Sequence, residues 1–76
     1  MNTQVPIRVM LKRATSLHMV VSQYRDVMNK NRDLLPTLPS PALPVSKRQW
    51  ETLIREVRRE LRQLAMLDHM VDSIVQ

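Results

Sequence analysis

Four of the five prolines in this chain stand within residues 34–45, Leu-Leu-Pro-Thr-Leu-Pro-Ser-Pro-Ala-Leu-Pro-Val, and on either side the apolar residues recur at helical spacing. Proline lacks a backbone N–H and fixes φ, so this block is neither helix nor central strand. The 76 residues are thereby divided into two arms and a linker within a single domain, residues 1–76. In extended polyproline geometry, at roughly 3.1 Å per residue, the linker reaches about 35 Å, much more than a tight turn between helices needs. Its two Pro-x-x-Pro spacings, Pro36 to Pro39 and Pro41 to Pro44, have Asp33 and Ser46 where an SH3 ligand places a basic residue, so a stiff spacer is expected.

In the first arm Ile7, Ala14, Val21, Met28 and Leu35 repeat every seven residues, with Met10, Leu17 and Tyr24 interleaved three residues later and Asn31 breaking the pattern. This a/d spacing predicts one amphipathic helix from about Pro6 to Asp33. Pro6 suits a first turn, where its missing N–H has no intrahelical partner, and Leu35-Pro36 stops the helix because the residue before proline is pushed to extended geometry. Leu11, Val20 and Val27 widen the stripe beyond a two-stranded seam, which predicts more than one packing neighbour.

The second arm begins at a Ser-x-x-Gln capping box, Ser46-Lys47-Arg48-Gln49, with Val45 placed to staple onto Trp50 across the cap. Its stripe follows at Trp50, Ile54, Val57, Leu61, Leu64, Leu67, Val71, Ile74 and Val75, giving a helix from about Lys47 to Val75. At 1.5 Å per residue the two helices are about 40 and about 43 Å long. Matched lengths predict an all-α, two-helix antiparallel hairpin. One neighbour covers only part of each stripe, so the hairpin is expected to be completed to a helical bundle by self-association or by a partner.

Composition narrows the function. With no Cys there is neither disulfide nor thiolate metal site, and with no Gly there is no glycine-rich phosphate loop. No apolar run is long enough to span a bilayer. An intracellular setting is favoured. Residues 1–25 carry Arg8, Lys12, Arg13 and Arg25 without an acid, the composition of a mitochondrial presequence, which makes mitochondria the alternative. His69, Asp72 and Ser73 fall within about one helical turn but on a helix surface with no oxyanion donors, so catalysis is not expected. His18 and His69 lack a second ligand at i,i+4. No cofactor, metal or small-molecule substrate is expected.

The most distinctive charged feature is the basic face of the second helix, Lys47, Arg48, Arg55, Arg58, Arg59 and Arg62, diluted by Glu51, Glu56 and Glu60 within a chain of net charge +5. Glu51 with Arg55 and Glu56 with Arg59 are spaced to form intrahelical pairs worth a few tenths of a kcal/mol each. Asp68 and Asp72 sit near the C-terminal end, against the helix-dipole preference, and are expected to face a cation, such as an Arg of a neighbouring chain.

Two short segments resemble known families. Gln23-Tyr24-Arg25, followed by a basic helix with Arg58-Arg59-Glu60-Leu61, is similar to the mitochondrial LYR-motif accessory proteins, without that family's leading Leu, downstream Phe and third helix. Ser46-Lys47-Arg48-Gln49-Trp50-Glu51 resembles the final helix of histone stem-loop RNA-binding domains, without the Thr-Pro-Asn-Lys stretch that precedes it there. Each covers less than half of the chain, and no functional residue is carried over.

The expected function is a non-enzymatic protein–protein interaction module, an adaptor or small subunit of an assembly. Its apolar contact residues are Ile7, Leu17, Val21, Tyr24, Trp50, Ile54, Val57, Leu61, Leu64 and Val71, and Arg55, Arg58, Arg59 and Arg62 face an acidic surface. The partner is a protein or a second copy. Nucleic acid is the alternative, with a dimer presenting the basic faces of its second helices to phosphates.

Overall fold

The computed structural model describes residues 5–75. It is all-helical, with no strand among the described residues: α1 (Ile7–Gln23), α2 (Arg25–Lys30), a 3-10 turn (Arg32–Leu34) and α3 (Lys47–Val75). The first arm is therefore not one helix. Tyr24, at φ −113° and ψ 24°, leaves helical geometry between α1 and α2. The backbone ladder nevertheless bridges the break, since the Tyr24 N–H donates to Val20 O at 3.1 Å and the Met28 N–H to Tyr24 O at 2.9 Å. At Asn31 the side chain competes with the ladder by donating Nδ2 to Val27 O at 2.8 Å, and the chain tightens into the 3-10 turn. Leu35 is then extended, at φ −69° and ψ 141°, as its following proline requires.

The capping box forms with both reciprocal bonds. The Gln49 N–H donates to Ser46 Oγ at 3.1 Å, and the Ser46 N–H to Gln49 Oε1 at 2.9 Å. Such a cap contributes about 1 kcal/mol to starting α3 in register.

The arms run in the same direction, and this corrects the antiparallel expectation. Arg13 lies over the Trp50 ring, 5.2 Å from its centroid, and Asn31 Nδ2 donates to Asp68 Oδ2 at 3.1 Å. Both contacts join residues 37 positions apart, so advancing along the first arm means advancing along α3. A helical hairpin joined by a tight turn would reverse that order. The linker makes the parallel order possible: Asp68 back to Lys47 is a climb of roughly 32 Å along α3, and residues 35–46 span about 37 Å when extended. The slack is taken up at Ser40–Leu43, where the Leu43 N–H donates to Ser40 O at 3.0 Å.

The core is the set Val20, Trp50, Ile54, Val57, Leu61 and Leu64, with Leu17, Tyr24, Val27, Met28, Leu35, Leu38 and Val45 packed around it. Linker residues Leu35, Leu38 and Val45 thus form a third side of the core, and the linker is more than a spacer. The molecule is a rod with extents of 58 × 18 × 17 Å. Spin labels at Thr15 and Thr52 should therefore sit side by side, while Thr15 and Ser73 lie further apart by about 32 Å of helix rise. Pulsed-EPR distances in the reverse order would restore the antiparallel hairpin.

Candidate interaction surfaces

The residues expected to meet a partner divide into three groups. Trp50, Ile54, Val57, Leu61 and Leu64 are buried within the chain itself, and Leu17 and Tyr24 are half-buried against them. Val21 is half-buried at the flank, lining a small groove with Arg25, Met28 and Leu35. Ile7 and Val71 remain open, 72% and 55% exposed. The period-seven line through Ile7 and Ala14 faces solvent in α1, because the arm is rotated to bury Arg13 and Val20 instead.

Arg13 is the residue that the periodicity did not single out. It is 7% exposed, and its guanidinium donates to Leu43 O at 3.2 Å and to Val45 O at 2.9 Å while stacking on Trp50. A proline-rich segment has no ladder to satisfy its carbonyls, and a forked donor on a long stem supplies what a neighbouring strand would. Two signals in the sequence point to it: Val9, Arg13, Leu17, Val20, Tyr24 and Val27 step by four or three residues, and the linker is too long for a tight turn.

Beyond Leu64 the core line of α3 continues at Asp68, whose Oδ2 accepts from Asn31 Nδ2 at 3.1 Å. The apolar residues Leu67, Met70, Val71 and Ile74 lie on a different face, about a third of a turn around the helix, and all are exposed. No described residue of the first arm covers them. At the other end α1 touches α3 through Arg13, Leu17 and Val20 but lies less close to it than α2 does. The gap is a groove of about 1070 Å³ lined by Val5, Val9, Lys12, Arg13, Pro44, Val45, Lys47, Trp50 and Glu51, among others.

The four arginines Arg55, Arg58, Arg59 and Arg62 recur at i, i+3, i+4 and i+7 on the side of α3 away from Ile54, Val57 and Leu61, and all are exposed. Arg59 pairs with Glu56 at 2.7 Å, and this is the one ion pair among the described residues. The expected Glu51–Arg55 pair does not form. Ser73 Oγ donates to the His69 carbonyl at 3.0 Å, so His69, Asp72 and Ser73 are not arranged as a relay. Among the described residues no cluster of His, Asp or Glu could hold a metal ion, and no helix is long and apolar enough to cross a membrane.

Comparison with protein families, curated proteins and solved structures finds no match to this chain, so neither resemblance noted in the sequence is carried further.

Proposed function

We propose that the chain is a non-enzymatic protein–protein interaction module, a small adaptor or assembly subunit that docks through the apolar face at the end of α3 and offers its Arg-rich face to an acidic protein surface. The supporting observation is the uncovered run Leu67, Met70, Val71 and Ile74, which recurs at helical spacing on one face of a well-capped helix. Contiguous apolar patches of this kind mark interaction sites on soluble proteins. Methionine at such a surface adapts its shape to a partner at little strain. The core residues Trp50, Ile54, Val57, Leu61 and Leu64 act one step back, holding the rod that presents the face.

Nucleic acid is the weaker partner class. Trp50 is buried under Arg13 and Tyr24 is half-buried, so neither ring is free to stack on a base.

The test is a photo-reactive residue placed at Met70 in the full chain expressed in its native cells. Irradiation should give a discrete protein adduct, whether to a second copy or to another polypeptide. A chain that forms no adduct while remaining helical would remove this reading.

A further inference from the structure

Arg13 is the one buried charge among the described residues, and no carboxylate there meets it: its guanidinium donates to the Leu43 and Val45 carbonyls, and the one ion pair is Glu56–Arg59. Carbonyl oxygens satisfy its N–H groups but carry no net charge, so this cation lacks the opposite charge that offsets its removal from water. Arg13 and the Trp50 ring it covers both line the groove between α1 and α3. Half-buried Val5, Val9 and Val45 add apolar lining, and the exposed Lys12 and Lys47 stand at the rim with a single acid, Glu51. From Pro6 to Ser16 the lining follows about 15 Å of the first arm, which makes the site a trough.

We infer that this groove binds an amphiphilic anion, a small molecule with an extended hydrocarbon body and a carboxylate or phosphate head group. The body lies along Val5, Val9 and Val45 over Trp50. The head group lies among Lys12, Lys47 and Arg13, and supplies the negative charge that Arg13 does not receive from the described residues. Three cations less one acid leave two positive charges around an apolar floor, which selects an anion over a neutral or cationic amphiphile. The size suits a small ligand: the groove holds about 1070 Å³, near the upper end of the roughly 300–1,000 Å³ of ligand sites. Eleven residues line it, whereas a stable protein interface takes roughly 20–30 a side. The groove is at the start of α3 and the exposed apolar face at its end, so the inference stands apart from the interaction-module reading.

Trp50 is the one tryptophan of the chain and reports on the groove directly. The test is quenching of its fluorescence in the full chain by ω-bromododecanoate, kept below the concentration at which it forms micelles, since bromine quenches an indole at close contact. Saturable quenching is expected. Affinity should fall roughly tenfold or more for the uncharged ω-bromododecanol, and likewise for the carboxylate when Lys12→Gln and Lys47→Gln are combined. Glu51→Gln should tighten binding, because it removes the one opposing charge. Ile74→Asp, at the far end of α3, should leave it unchanged. All four positions are exposed, so the substitutions leave the core intact. Displacement by dodecanoate and by dodecyl phosphate separates the two head groups, the stronger displacer being the one the site takes. Absence of saturable quenching, equal affinity for the alcohol, indifference to the lysine substitutions, or loss of binding with Ile74→Asp overturns the inference.

Discussion

Leu61→Ala should abolish cooperative thermal unfolding, leaving a chain whose circular dichroism declines gradually with temperature. Leu61 is 0% exposed and lies between Val57 and Leu64 in the middle of the core. Truncating a buried leucine costs about 2–5 kcal/mol through lost transfer energy and the cavity left behind. Domains hold only about 0.05–0.15 kcal/mol of stability per residue, which is about 4–11 kcal/mol for 76 residues, and a thin rod with a core of six buried side chains stands at the low end of that range. The matched control is Ile74→Ala, at an exposed site where the change should stay within about 0.5 kcal/mol. A sharp Leu61→Ala melting transition within a few degrees of the parent would mean that the core is held elsewhere.

Arg13→Met should release the end of the linker while leaving α3 helical. The substitution keeps an unbranched apolar stem but removes the donors to Leu43 O and Val45 O and the cation over Trp50. Leu43 O keeps the Val45 N–H at 2.8 Å, so the part-buried Val45 O is the carbonyl left without a donor, at up to about 1–3 kcal/mol, and the lost cation–π contact adds about 1 kcal/mol. Arg13→Lys should rescue less than half of this, because one ammonium cannot reproduce a fork that reaches two carbonyls. Amide exchange is the readout: the Leu43 and Val45 N–H groups, now bonded within the linker, should exchange much faster, and those of Val57 to Leu64 only slightly faster. Unchanged protection at Leu43 and Val45 would show that Arg13 does not hold the linker.

Much of α3 was legible from sequence because its determinants are local. The Ser46/Gln49 cap, the Trp50, Ile54, Val57, Leu61 and Leu64 line and the Glu56–Arg59 pair all involve residues within a few turns of one another, and each forms. The first arm was less legible because its burial is decided at long range. Ile7 and Ala14 keep perfect heptad spacing yet face solvent, since Arg13 is drawn inward by carbonyls 30 and 32 residues away. The break at Tyr24 has no proline or glycine to announce it. Matched helix lengths point to the wrong arm direction, and the length of the linker is the better guide. Of the surface proposed to meet a partner, the sequence names Val71 and the four arginines, all of which are exposed. Leu67 and Ile74 share the helical spacing of the core stripe yet are exposed, because periodicity reports that a helix has an apolar face and not which neighbour covers it.

Residues 35–46 also bear on the unfolded chain. Four prolines hold φ near −65° before folding begins, and no glycine widens the choice, so this segment surrenders less conformational freedom on becoming ordered than a Gly/Ser tether of equal length would. The connection behaves as a strut: its stiffness keeps Leu34 and Lys47 apart, and the tight reversal that would let the arms turn back on each other is closed off before any core contact is made.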